Sequence, residues 1–348
     1  MGYNGKKNKT EKTMRIFLIF LAICGIIWAK SANPTIEISY ATYTFDEKDT
    51  FLYVASAKEG ANGEARFLFA GLGGLTQQSC RLGESERYFS NDTDAPSEGE
   101  IVCGENLRAH FAHGTLDNVQ WRGQAKKATL AKEFRVQRAT FAHKQRKTSM
   151  SIAALCSSDA AIQNVLQKAY DMPYQCATMP EAFGKAAQKA LKNDVFAEDE
   201  VYEAAFLLEI VYFDSERIVF EEITSSYTGG AHASHIYDLR TFSRNGEELD
   251  CAKSLLQVNL PKLKQRLLQE VQKYGTAAFV DENTSDFDVS KIIAPVYGGI
   301  AFLYQPYEIL PYSFGAPKLV IGYGEAPQYF APHEKGKASE ICRLPLAR

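Results

Sequence analysis

From Asn33 to Phe141 apolar and polar residues alternate in short runs. "TIEISYATYTF", "FLYVASA", "ARFLFAGL", "RAHFAHGTL", "VQWRGQAKKATLAKEF" and "RVQRATF" carry the period of two expected of strands. "KEGANGE", "SNDTDAPSEGE" and "HGTLDN" supply turn residues between them. This spacing predicts a β-rich meander, barrel-like or sandwich unit. The polar, basic stretch "AHKQRKTSM" at 142–150 is expected to link it to a second unit.

The period then changes. Ser157 or Ser158 can cap a helix over "DAAIQNVLQKAYDM", with Ile162, Val165, Leu166 and Ala169 on one face. A second helix starts near Pro180. Long strands "VYEAAFLLEIVYF" and "RIVFEEITSSY" come next, and after "TGGAH" comes "SHIYDLRTF". The next helix has Asn259 at its N-cap, Pro261 in its first turn and Gly275 just past its end. Its buried stripe is expected at Leu260, Leu263, Leu267, Val271 and Tyr274. "KIIAPVY", "GIAFLYQ" and "LVIGYG" close the order as three further strands. The predicted fold class is α+β: a β-rich unit over 32–145, then an α+β unit over 155–330 with an antiparallel sheet and packed helices. A chain of 348 residues is long enough for about two domains.

The N-terminus reads as an export signal. Lys6, Lys7, Lys9, Lys12 and Arg15 precede 14 apolar residues, Ile16–Ala29. That length suits a signal core and falls short of the roughly 20 residues that span a bilayer. Cleavage is expected near Ser31/Ala32, which makes residues 1–31 a signal peptide and the protein periplasmic or secreted. The alternative is a membrane anchor formed by residues 16–29. Removing residues 1–31 takes away six basic residues and one acid, so the formal charge falls from −3 to −8. Nucleic acid is therefore not expected as a partner, and a basic partner is electrostatically favoured. Six cysteines remain beyond the signal: Cys80, Cys103, Cys156, Cys176, Cys251 and Cys342. An even number in an exported chain implies disulfides, and six allow fifteen connectivities. Pairing in chain order is the simplest expectation: 80–103, 156–176 and 251–342, the last tying down a tail at 331–348.

"SSYTGGAHASHIYDLRTF" followed by "GGIAFLYQPYEILPYSFGAPKLVIGYGE" resembles the domain-of-unknown-function family 3298. Residues 155–230 resemble its companion, family 4163. Such domains stand outside the bacterial cytoplasmic membrane. One relative is the extracellular part of a lysozyme-binding anti-sigma factor, and others accompany peptidoglycan deacetylases. The likeness implies binding and carries no chemistry over to this chain. The segment before the apolar run is too short for a sigma-binding domain, and no second segment carries deacetylase motifs.

The motif residues give the candidate site. Gly229 and Gly230 can turn the chain sharply, so "TGGAH" is either a plain strand turn or a ligand-contact loop. Tyr227, Gly229, Gly230, His232, Tyr307, Glu308 and Tyr312 are the expected ligand-binding residues. The run Phe302, Tyr304, Tyr307, Tyr312, Phe314 is either core or an aromatic contact surface, with Tyr307, Glu308 and Tyr312 expected at the exterior. No metal is expected: His232 and His235 would lie on opposite faces of a strand, as would His110 and His113. Ser225, Ser226 and Ser234 near His232 form no nucleophile elbow. Glu221, Glu222 and Glu308 could supply a carboxylate pair for glycoside hydrolysis, against a simpler reading as solvated faces. No catalytic residue and no cofactor is expected. The function expected is a non-enzymatic envelope binding protein whose partner is a basic protein such as lysozyme, or peptidoglycan. The alternative is an enzyme acting on cell-wall carbohydrate. Asn283 in "DENTS" is a candidate glycan acceptor.

Overall fold

The structure, a computed structural model, describes residues 36–45, 50–59, 64–74, 78–82, 96–145, 148–193, 202–275, 278–279 and 287–330. The expected export signal, Asn283 and Cys342 lie outside the described residues.

Ten strands come first: β1 (Ile36–Thr44), β2 (Thr50–Glu59), β3 (Ala65–Gly74), β4 (Gln78–Leu82), β5 (Glu98–Cys103), β6 (Leu107–Ala112), β7 (Thr115–Trp121), β8 (Gln124–Ala125), β9 (Thr129–Gln145) and β10 (Thr148–Cys156). Helices α1 (Ala160–Ala169) and α2 (Met179–Asn193) come after them. Then come β11 (Tyr202–Phe213), β12 (Arg217–Tyr227), β13 (Ser234–Ser243), the short β14 (Glu248–Leu249), helix α3 (Leu260–Gln272), and β15 (Ile292–Val296), β16 (Gly299–Leu303) and β17 (Lys318–Gly322). The class is α+β, as the change of period implies.

Fourteen strands form one sheet in the order β14-β13-β12-β11-β10-β9-β1-β2-β3-β4-β5-β6-β7-β8, and β15-β16-β17 form a second. Neither closes into a barrel among the described residues, so the barrel-like option is set aside. Every pairing in the large sheet is antiparallel except β10 with β11, where α1 and α2 occupy the crossover that a parallel pair requires.

Two expectations fail on local grounds. Residues 142–145 and 148–150 are paired strand ends of β9 and β10, with Ala142 opposite Ser151 and Gln145 opposite Thr148. Exposed strand ends are polar for the same reason that linkers are. "VQWRGQAKKATLAKEF" is no single strand: Arg122 and Gly123 both take positive φ (50° and 76°), and Trp121 faces Gln124 across the turn. Arg-Gly is a rarer signature for such a turn than Asn-Gly or Asp-Gly, and the apolar spacing on either side hides it.

Three apolar cores form among the described residues. One lies among β2, β3, β5, β6 and β7 and includes Phe45, Phe67, Phe111 and Trp121. A second sits under α3 and includes Leu263, Leu267, Val271 and Phe302. The third joins Tyr40, Tyr53, Phe69 and Phe134 to Phe213 and Tyr297, so residues from before 142 and after 150 share one interior. Phe213 meets Tyr40, Tyr53 and Phe134 edge-on at 5.4, 5.2 and 5.4 Å.

The helices obey their sequence cues with small departures. Asp159, rather than Ser157 or Ser158, caps α1 by accepting from the amides of Ala161 and Ile162. The stripe of Ile162, Val165, Leu166 and Ala169 is buried as expected. In α3, Leu263, Leu267 and Val271 are buried, but Tyr274 lies beyond the helix end and is exposed. Asn259 flanks α3 without capping it; its side chain donates to the Gln328 carbonyl at 2.6 Å instead. The disulfides Cys80–Cys103 and Cys156–Cys176 form as chain order suggests. Cys251 is also held in a disulfide. No helix among the described residues is long and apolar enough to cross a membrane.

Candidate functional site

Two sequence motifs some 75 residues apart meet at one end of the sheet. The first is the loop between β12 and β13. Gly229 and Gly230 take φ of 94° and 108°, a region closed to most side chains, and turn the chain there. Tyr227 braces the turn by donating its hydroxyl to the Gly230 carbonyl at 3.0 Å. The second motif is the loop after β16. Its Gln305 side chain acts as a substitute strand: its amide oxygen accepts from the Tyr237 N–H at 2.9 Å, and its amide nitrogen donates to the Tyr237 carbonyl at 2.7 Å. Both backbone groups of an edge-strand residue are thereby satisfied, and the loop is fixed against β13.

That docking brings the aromatic rings together. The His232 ring stacks on Tyr312, with centroids 4.0 Å apart and planes 20° from parallel. His235 lies over the same tyrosine at 5.9 Å. The His232 Nδ1 donates to the Ala233 carbonyl at 3.0 Å, which leaves Nε2 to accept the Tyr307 hydroxyl at 3.2 Å. Tyr312 donates its own hydroxyl to the Ala233 carbonyl at 2.9 Å. The two histidines thus converge on one ring, contrary to the opposite-face expectation, because His232 precedes the strand that begins at Ser234. His235 Nδ1 is buried without a hydrogen-bond partner among the described residues.

Tyr307 is the most unusual member. It is 55% exposed and has φ of 67°, a left-handed conformation that costs a non-glycine residue roughly 1–2 kcal/mol. The Tyr307 N–H donates to the Leu310 carbonyl at 3.1 Å and holds this conformation. Glu308 is exposed too, and its carboxylate accepts the Gln305 N–H at 2.8 Å. Of the aromatic run, Phe302 and Tyr304 are core, Tyr312 is half-buried and Phe314 is exposed beside Tyr274.

The other candidates disperse. Glu221 and Glu222 are adjacent on one strand and therefore point to opposite faces. Glu221 pairs with Lys318 at 2.7 Å, whereas Glu222 is buried 3.6 Å from Arg240. Burial raises the Glu222 carboxyl to about 7; Arg240 opposes this incompletely because its closer partner is Glu248, at 2.8 Å. Single carboxylates do accompany the other two histidines: His110 meets Asp117 at 3.0 Å and His113 meets Glu64 at 2.8 Å. Among the described residues no group of three or more His, Cys, Asp or Glu side chains is placed to hold a metal. Sequence reasoning missed Gln305, Tyr237 and His235 as partners of the site. Their nearness to the two motifs was the one cue the sequence offered.

Residues 242–324 match the family described as "Protein of unknown function (DUF3298)". The matched segment holds Tyr307, Glu308 and Tyr312, while Tyr227, Gly229, Gly230 and His232 lie before it. Among solved structures, the chain is similar to a DUF3298 family protein from Pseudomonas aeruginosa PAO1, with 16% identity and a TM-score of 0.44, over 57% of this chain and 94% of that one. It is similar also to a member of that family from Bacteroides fragilis NCTC 9343, with 14% identity and a TM-score of 0.45, over 57% of this chain and 93% of that one. No curated protein matches the chain.

Proposed function

We propose that the chain is an exported, non-enzymatic binding protein of the bacterial cell envelope whose contact surface is the cluster of His232, Tyr307 and Tyr312. One observation carries this reading: an exposed tyrosine is held in a left-handed backbone conformation, its hydroxyl bonded to a histidine from a distant loop. Strain of this kind persists where surrounding structure enforces it, and it gathers at functional sites. Exposed Tyr rings lose little entropy on contact and serve as binding anchors. The basic-then-apolar N-terminus supports a periplasmic or secreted location, and so do the disulfides. The likeness of residues 155–230 to family 4163, and of the motifs after them to the lysozyme-binding domain, points to lysozyme or a peptidoglycan fragment as the partner. Lysozyme is basic, and the chain without residues 1–31 carries a formal charge of −8. Association should therefore weaken as salt rises.

The test is a titration of the purified chain with lysozyme and, separately, with soluble peptidoglycan fragments, run beside a peptidoglycan-digestion assay. Saturable binding without turnover is expected for one of the two, weakened by Tyr307→Ala with little change in the thermal midpoint. Peptidoglycan turnover abolished by His232→Ala or Glu308→Ala would overturn the binding reading in favour of a carbohydrate-active enzyme.

A further inference from the structure

A cavity of about 440 Å³ lies between the large sheet and the small one, away from the aromatic cluster except at Tyr237. Interiors are otherwise close-packed, and ligand sites occupy about 300–1,000 Å³. Leu68, Phe69, Ile210, Leu239, Val296 and Ala301 make most of the wall apolar. Val320, 36% exposed, marks the opening.

Four charged side chains also line the cavity: Arg138, Glu209, Glu221 and Lys318. The register of β11 and β12 sets Glu209 directly opposite Glu221, an arrangement that costs a sheet stability. Arg138 meets Glu209 at 3.1 Å and Lys318 meets Glu221 at 2.7 Å. These cations do not fully compensate: burial, with Glu221 beside it, holds the Glu209 carboxyl above its ordinary range despite Arg138 and Lys318. Packing alone would be served as well by apolar residues at these positions, as at neighbouring Ile210 and Ile223. A carboxylate has several acceptor positions, so each can receive a further donor without releasing its present partner.

We propose that this cavity binds a small cationic amphiphile, an apolar body carrying one protonated amine, with the amine seated between Glu209 and Glu221. At about 30 Å³ per water-sized group, the space takes on the order of fifteen non-hydrogen atoms.

Decylamine, decanoate and decanol share one apolar length and differ in charge. Calorimetric titration of the full chain with each, below its micelle concentration, separates the cases. Decylamine should saturate a single site, with decanoate and decanol weaker by about tenfold or more, the scale of a charge-assisted hydrogen bond. Replacing both carboxylates (Glu209→Gln with Glu221→Gln) should remove that preference. Val320→Trp, a surface change at the opening, should weaken binding of decylamine while the thermal midpoint stays in place; if the double Gln variant fails to fold, this variant decides. Decanoate or decanol binding as tightly as decylamine would overturn the proposal. So would an absence of saturable decylamine binding, or binding indifferent to Val320→Trp.

Discussion

Gly71 of β3 lies under the ring of Tyr297, which sits in the turn between β15 and β16. A Cβ at Gly71 would stand 2.1 Å from Tyr297 Cγ and Cδ1. Carbon atoms prefer separations of about 3.5–4.0 Å, so Gly71→Ala forces the ring to retreat by about 1.5 Å. The ring has little freedom to do so. It stacks on Tyr53 at 5.7 Å and meets Tyr212 at 4.6 Å, and its hydroxyl donates to the Phe213 carbonyl at 3.0 Å. Overpacking of this kind costs about 1–3 kcal/mol, and losing the hydrogen bond adds about 1 kcal/mol. Replacing glycine returns about 0.5–1 kcal/mol through the unfolded chain. The net expectation is a loss of about 1–3.5 kcal/mol.

Urea unfolding followed by near-ultraviolet circular dichroism measures this loss, and a double-mutant cycle identifies its cause. Tyr297→Ala alone should cost about 3–5 kcal/mol by emptying the site. In that background Gly71→Ala has nothing to strike, and its penalty should vanish or change sign. If Gly71→Ala costs the same with and without the tyrosine ring, the close approach is not what couples the N-terminal strands to the small sheet.

Two further outcomes rest on the site and its supports. The folded Glu222 carboxyl, raised to about 7, holds its proton more tightly than in the unfolded chain, so its stabilising contribution is complete below about pH 4.5 and is lost as pH rises towards 7. Glu222→Gln should flatten the fall in urea midpoint between about pH 5 and pH 8, a difference of up to about 3 kcal/mol; equal slopes for both proteins would refute the assignment. Gln305→Leu removes both bonds to the Tyr237 backbone. Hydrogen exchange at the Tyr237 amide should then quicken while exchange in α1 stays unchanged, and an unaltered Tyr237 rate would show that Gln305 is no clamp.

Local periodicity made the element types readable. The α1 stripe and the α3 residues Leu263, Leu267 and Val271 repeat at helical spacing, and each contributes its face to one neighbouring core, so sequence and packing agree. The positive-φ glycines at 229 and 230 were legible as well, because a turn between two apolar strands needs them. Tyr274 misled, since its helical spacing continues beyond the point at which the helix stops. The polar stretch 142–150 misled for a broader reason. A hairpin end and a linker meet the same solvent requirement, and only the pairing of β9 with β10 distinguishes them.

What stayed hidden was set by register between segments distant in sequence. Glu209 and Glu221 each read as an ordinary polar position in an alternating strand. Their direct opposition depends on where the β11–β12 turn falls and on the register shift between Ile210 and Tyr212. The same holds at the aromatic cluster. "TGGAH" and "PYEILPY" each announce a loop, but nothing local says that Gln305 will occupy the edge of β13 and lay Tyr312 against His232. Tyr237 serves both places: its backbone holds the Gln305 clamp, and its side chain lines the cavity. Side chains alternate across a strand while backbone groups point along the sheet, so one residue can support a surface cluster at the sheet edge and a cavity on the sheet face without conflict.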